Sequence, residues 1–383
     1  MNNKPILCGL ILLIIFNITP DCSASQQAAQ KAAQTSKAIL APHWEKDLQA
    51  AKGEGNVIVY TTANPSTKQA ISKVMQDRYG ITVDFLGGRG EELIQRIMTE
   101  NRAGLYLGDV LLMGMGGPVL RTTLKPIGAV ANLDSTLILP EVTDPSRWRG
   151  GKLPFLDKEH QIIGFVSQTG GIVMVNTESG NPKDTKSYHD LLNPRWKGKI
   201  IMDDPTVIGA GRFWANLMLM LFGPQKGKDY LQQIAKQDLI VLRDKRLVVD
   251  WVARNKYPMA IGADAQTYSE FRANGAPISA LQFNEGSGGT ASGGCIAMLK
   301  RAAHPNAAKV FINWLLTMEG QTIFQKAAGA PSARLDVDMA GIDPGFIPQE
   351  GKRLIPSTGE EWYASEATNG EIIKRIFQPL MHE

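Results

Sequence analysis

The feature that most restricts what this chain can fold into is a repeated alternation, beginning at Asn56, of short β-rich runs with apolar stripes at helical spacing. Asn56-Val57-Ile58-Val59-Tyr60 is a strand-forming run between Gly53/Gly55 and the polar loop Thr61-Thr62-Ala63-Asn64-Pro65. From Ser66 to Tyr79, Ala70, Ile71, Val74 and Met75 recur on one helix face, and Gly80 supplies a stop before the next apolar run, Ile81 to Leu86. The second strand ends in Gly87-Gly88-Arg89-Gly90-Glu91-Glu92; a stripe of Leu93, Ile94, Ile97 and Met98 follows, and a third strand, Asp109 to Met113, runs into Gly114. Strands and helices alternating at this interval imply an α/β fold with a largely parallel sheet.

Residues 118–160 are Pro-rich and irregular, with room for short helices only. After Ile162 to Val166 a fresh set of elements opens with Gly171 to Asn176. Trp196 to Met202 reads as a strand ending at Asp203-Asp204-Pro205-Thr206, ahead of Gly209-Ala210-Gly211 and an apolar helix from Arg212 to Phe222. Met259 to Gly262 closes on Ala263-Asp264-Ala265; a Gly/Ser-rich stretch, Asn284 to Gly294, precedes the strand Cys295 to Leu299. Helices are expected from Asn306 to Leu316 and from Gly370 to Phe377. About 360 residues beyond a leader exceed one ordinary core of roughly 100 to 200, so two lobes are expected.

Lys4, the apolar stretch Ile6 to Phe16, and Cys22-Ser23-Ala24 form a signal-peptide layout, residues 1–24. The apolar core is shorter than the roughly 20 residues of a membrane span, so cleavage after Ala24 and release into the periplasm is expected. Thr19-Pro20-Asp21 are not the aliphatic and small residues of a lipidation signal before Cys22, which leaves lipid anchoring there as the lesser alternative. With Cys8 and Cys22 removed, Cys295 stands alone and no intrachain disulfide forms. Residues 25–52 read as a linker or first helix. The formal net charge is +4, and no dense Lys/Arg block interleaved with aromatics indicates a nucleic-acid partner.

In open α/β sheets, ligands bind beyond the carboxyl ends of the strands. The helices starting after Gly90 and Gly211 would present free N–H groups to an anion, and Arg89 and Arg212 would add fork-shaped donors. Thr62, Asn64, Arg89, Gly90, Thr206, Gly209, Gly211, Arg212 and Asp264 are therefore expected to line a cleft, with Tyr268 as a wall or hydroxyl donor. The plainer readings are turns for the glycines, surface ion pairs for the arginines, and helix capping for Thr62 and Asn64. Arg334 would either reach the cleft or tie the lobes. The five histidines are scattered, and no HExxH, GxSxG or GxxxxGK[ST] pattern is present. Asp203-Asp204 reads as loop and cap residues, and Gly286-Ser287-Gly288-Gly289 lacks the context of a dinucleotide fingerprint. The chain is thus expected to use no cofactor and no metal, and to catalyse no reaction.

Several blocks carry a family resemblance: Val57-Ile58-Val59-Tyr60-Thr61-Thr62, Tyr79 to Val83, Gly108-Asp109-Val110, Gly170 to Thr177, and Trp196 to Ile200 with Asp204-Pro205-Thr206. The most specific is His304-Pro305-Asn306-Ala307-Ala308-Lys309 through Glu319-Gly320-Gln321, followed by Pro331 and Arg334. Together they resemble the periplasmic solute-binding proteins of the ferric-iron-type ABC transporter group, a type II periplasmic-binding-protein family that also takes up thiamine, phosphonates and phosphosugars. The resemblance covers nearly all of the chain after the leader. It implies a monomer of two lobes that closes by a hinge on a small-molecule solute and delivers it to ABC permease subunits. Lobe 1 would be residues 53–166 plus 282–335 and lobe 2 residues 167–281 plus 336–383, with crossings near Phe165 to Thr169 and Ala280 to Phe283. Ferric members bind iron through adjacent tyrosines of the second lobe, helped by a histidine and an acid from the first. Here Gly262 to Tyr268 offers only Tyr268, and Thr61 to Asn64 no histidine. A carboxylate- or phosphate-bearing solute is therefore expected, with ferric iron, a secreted enzyme and a sensor-type binding subunit as alternatives.

Overall fold

The computed structural model describes residues 43–113, 123–291, 294–357 and 360–381. The expected leader and Gly114 lie outside the described residues. A helix α1 (43–54) sets Trp44 and Leu48 against the first core. Then β1 (Asn56–Thr61), α2 (Pro65–Val74) and β2 (Thr82–Gly87) form a parallel β-α-β unit with Val57 opposite Val83. The α2 helix starts where Asn64 accepts the Thr67 N–H at 2.8 Å, with Pro65 in the first turn, where its missing N–H does no harm. A π-turn, Met75–Tyr79, follows and is stopped by Gly80 at φ 67°, a left-handed conformation that a Cβ disfavours.

α3 (Gly90–Arg102) and β3 (Val110–Met113) extend this layer, and α4 (Pro140–Thr143) is a single turn in the Pro-rich stretch. The chain then runs through β4 (Ile163–Gly164), β5 (Gln168–Gly170) and β6 (Ile172–Asn176) into β7 (Ile200–Asp203), α5 (Ala210–Phe222), α6 (Pro224–Ala235), β8 (Ile240–Leu242), α7 (Lys245–Ala253), β9 (Met259–Ala263), α8 (Ala265–Ala273) and β10 (Ile278–Ala280). It returns through β11 (Ser287–Thr290) and β12 (Cys295–Met298) to α9 (Pro305–Leu316) and α10 (Met318–Ala328), and ends with β13 (Leu354–Pro356) and α11 (Glu360–Phe377).

Three sheets result, ordered β2-β1-β3-β12-β4, β10-β6-β9-β7-β8 and β13-β11-β5. The first packs on α9 and α10 around Trp148, Phe311 and Trp314. The second is covered on one face by α5, α6 and α11, with Trp214, Leu231 and Phe377 buried there, and on the other by α7 and α8, with Val248 and Tyr268. Both large sheets are mixed rather than largely parallel, because β12 runs antiparallel to β3 and β4 and β6 runs antiparallel to β9 and β10. The reason is the crossing itself. A strand entering from the other sheet arrives at the end where the parallel strands finish, so it must run back against them.

Two further expectations shift. Trp196 to Met202 is not one strand, since Pro194–Trp196 forms a 3-10 turn, Gly198 turns at φ 70°, and only Ile200 onward pairs. The second crossing does not fall at Ala280 to Phe283. Leu281 and Phe283 pack in the second sheet's core and the Asn284 N–H still bonds Lys186 O at 2.7 Å, so the chain changes sheets only at β11.

Candidate functional site

The carboxyl ends of β1 and β2 carry one set of the candidate residues, the first lip of the expected cleft. The buried Thr61 hydroxyl donates to Leu112 O at 2.6 Å and accepts the Ala63 N–H at 3.0 Å, which fixes the following loop. Thr62 is exposed and lies beside Gly90, where an added Cβ would stand 3.9 Å from its methyl. The Lys68 ammonium reaches the end of β2, 3.4 Å from where a Cβ on Gly87 would be. Arg89, exposed, is the cap residue of α3, and its N–H donates to Glu92 Oε2 at 3.3 Å. The structure thus brings Thr62, Arg89 and Gly90 together and adds Lys68, while Asn64 is committed to capping α2.

The loops after β7, β8 and β9 carry the other set, the second lip of the expected cleft. Asp203 Oδ2 accepts the Gly211 N–H at 2.8 Å, and a Cβ on Gly211 would stand 2.0 Å from the Asp203 carbonyl oxygen. Backbone meets backbone here, so Gly211 is needed for close approach. The expectation that Gly209 and Gly211 would offer the start of α5 to a solute anion is therefore corrected: the protein's own carboxylate already fills that place. Burial is the main influence on Asp203 and raises its pKa, only partly offset by the Gly211 N–H.

Thr206 is likewise spent inward, its N–H and hydroxyl both donating to Asp204 Oδ1 at 2.8 and 2.6 Å. Asp264 caps α8, accepting from the Thr267 N–H at 2.9 Å and hydroxyl at 2.6 Å. These aspartates hold two cations at the carboxyl end of β8: Arg243, 3.1 Å from Asp204 Oδ2, and Lys245, 3.7 Å from Asp264 Oδ2. Both cations are mostly exposed, at 70% and 68% of the side chain, so they retain donors for a ligand. Sequence reasoning missed them, although two basic residues straight after the apolar run Leu239 to Leu242 were a usable signal. Val207 and Ile208 stand exposed on the same lip, Ile208 at 91%.

Three sequence-named residues lie elsewhere. Arg212 is directed to α11 and donates to Gly370 O at 3.0 Å. Tyr268 is fully buried, donating to Asp343 Oδ2 at 2.8 Å and accepting the Ala280 N–H at 2.9 Å, so it is neither a cleft wall nor a free hydroxyl. Arg334 is also fully buried and ties parts of the first core together through Glu141 O, Leu316 O and Asp336. Among the described residues no group of three His, Cys, Asp or Glu side chains is placed to hold a metal ion, and no helix is long and apolar enough to cross a membrane.

Comparison with known proteins agrees with this architecture. The sequence profile of the family described as Bacterial extracellular solute-binding protein matches residues 140–350. An uncharacterized protein of Haemophilus influenzae is 22% identical over 334 residues, 85% of this chain and 91% of that protein. Among solved structures, Trichodesmium IdiA (FutA) in complex with iron and citrate superposes with a TM-score of 0.64 at 19% identity, over 84% of this chain and 99% of that one. Iron-bound HitA from Pseudomonas aeruginosa gives 0.58 at 22% identity, over 84% and 99%. AfuA from Actinobacillus pleuropneumoniae with fructose-6-phosphate bound gives 0.56 at 19% identity, over 85% and 98%.

Proposed function

The chain belongs to the bacterial extracellular solute-binding proteins, and from that premise we propose that it captures a small carboxylate- or phosphate-bearing solute between its two lips and delivers it to an ABC importer. The observation that carries this reading is the contrast among helix starts around the cleft. The starts of α5 and α8 are closed by Asp203 and Asp264, whereas at α3 Glu92 takes the Arg89 N–H alone, and the cap residue is itself a cation, Arg89, with Lys68 and Thr62 beside it. An anion seated there meets the positive end of the helix dipole and two basic side chains. In this reading the exposed Arg243 and Lys245 would come to it from the second lip on closure, with the exposed Val207 and Ile208 as apolar contact for the rest of the solute. We assign the hinge to β5 and β11, the paired strands that join the two large sheets. The family is one of extracellular solute-binding proteins, which accords with the expected export.

A second reading is a ferric ion carried within its own carboxylate chelate, favoured by the iron and citrate of the Trichodesmium relative. The chelate's carboxylates, rather than the metal, would then meet Arg89 and Arg243, since Tyr268 is committed to Asp343.

Thermal denaturation of the purified chain with citrate, a hexose phosphate, ferric citrate or a ferric salt tests both. Ligand at a hundredfold excess over its Kd stabilises the folded state by about 2.7 kcal/mol, a rise of several degrees in Tm. Shifts with free organic anions, weakened at least roughly tenfold in affinity by Arg89→Gln, support the first reading. A shift with ferric citrate alone moves the assignment to the chelate, and a shift with the bare ferric salt alone overturns both.

A further inference from the structure

The end of the first sheet away from the cleft carries a surface that solute capture does not use. Three turns meet there: Arg102 to Gly108 between α3 and β3, Pro126 to Ala129, and Leu299 to Arg301 after β12. They enclose a groove of about 360 Å³ with Ile97 and Met98 of α3 on its floor. On its rim Leu105, Leu107 and Ile127 are 50%, 44% and 49% exposed, three large apolar side chains in one place. Arg102, Lys300 and Arg301 are exposed on the same rim, and among the described residues none has a carboxylate partner.

Arg301 instead donates to the Tyr106 hydroxyl at 2.7 Å, with its guanidinium 4.6 Å from the ring centre. The nearby Glu100 is buried and already taken, accepting from the Tyr60 hydroxyl and from Arg96, each at 2.7 Å. Among the described residues the rim is thus apolar at its tips, with the unpaired cations Arg102 and Lys300, and Arg301, beside them.

We propose that this end of the molecule docks on the surface of an anionic lipid bilayer. Leu105, Leu107 and Ile127 enter the boundary between headgroups and acyl chains, Tyr106 lies at the interface, and Arg102, Lys300 and Arg301 meet lipid phosphates. A bilayer suits this face better than a protein partner does, because the apolar tips come from two separate turns, with cations from a third. They offer no helix ridge or strand edge for a partner to register against. An exported protein that passes its solute to a membrane permease works beside such a surface, and docking would hold it there without occupying the cleft.

Cosedimentation of the purified chain with vesicles tests this. The chain should pellet with vesicles rich in phosphatidylglycerol, remain in solution with pure phosphatidylcholine, and dissociate as salt is raised. Leu105→Gln with Leu107→Gln, and separately Arg102→Gln with Lys300→Gln and Arg301→Gln, should each lower the partition coefficient roughly tenfold or more. All five positions are exposed, so the Tm of both variants and its rise with solute should match the parent's. No pelleting, equal pelleting with both vesicle types, or pelleting that the variants leave unchanged overturns the proposal. So does a concentration-dependent dimer, seen by sedimentation velocity, that the same variants abolish, because the occupant is then a second copy.

Discussion

Arg334 is the largest charged side chain in the first core, and its surroundings explain why it lies where no solute reaches it. The guanidinium is fully buried, 5.3 Å from the centre of the Trp148 ring, with Asp336 as its charge partner at 2.7 Å. The hydrogen bond from Arg334 is the foremost influence on Asp336 and lowers its pKa. A lowered carboxyl contributes stability that is present above its unfolded pKa of about 3.9 and is lost as pH falls through the folded value. Asp336→Asn leaves a buried cation with carbonyls and only the more distant Glu141 carboxylate, 3.7 Å away, and should cost about 3 kcal/mol at neutral pH. Urea denaturation at neutral and acid pH should show the variant less stable than the parent at neutral pH, with the gap narrowing in acid. An equal gap at both would remove Asp336 as the titrating partner. At this scale the sequence was a mixed guide. Asp203 and Asp204 read as loop and cap residues, whereas the capping role of Asp264 and the inward turn of Arg212 depend on which face of a helix meets a distant segment. No spacing rule supplies that.

Elements were easier to read than side chains, because strands and helices leave local periodicities. The starts and stops near Asn64 and Gly80 could be placed from residue type alone. Lys68, Arg243 and Lys245 escaped because being beyond a strand's carboxyl end has meaning only once the sheet order is known. Close packing of elements also singles out particular glycines. Gly211 sits where α5 crosses β7 and β9, and a Cβ on Gly262 would itself stand 2.7 Å from the Gly211 Cα. Gly211→Ala should push helix from sheet and destabilise the protein by about 2 kcal/mol, as overpacking of a dense interior does. Gly53, in α1, meets nothing within 4 Å, so Gly53→Ala should stabilise by roughly 0.5 kcal/mol through helix propensity. Opposite signs in a chemical denaturation series would confirm the packing argument, and equal effects would refute it.

For the whole molecule, solute affinity depends on the contacts made in the closed state and also on how readily that state is reached. The strands assigned as the hinge are rich in glycine, and the Phe213 ring of α5 packs against them. A Cβ on Gly170 would stand 2.6 Å from that ring and a Cβ on Gly288 2.5 Å from it. Phe213 in turn stacks at a tilt on Trp362 of α11, 4.7 Å between ring centres, so pressure at β11 is passed into the helical layer of the second core. Gly288→Ala should therefore displace Phe213 and alter the balance between open and closed forms without touching a residue of the cleft. A shift of about 1.4 kcal/mol in that balance, when the closed form is the minor one, changes apparent solute affinity tenfold. The check is paired: titration calorimetry for affinity, and small-angle scattering for the change in radius of gyration on adding solute. Affinity and compaction that change together place the pivot at Phe213. Unchanged compaction with unchanged affinity would mean that the chain bends elsewhere, at a segment where no side chain bridges the two sheets.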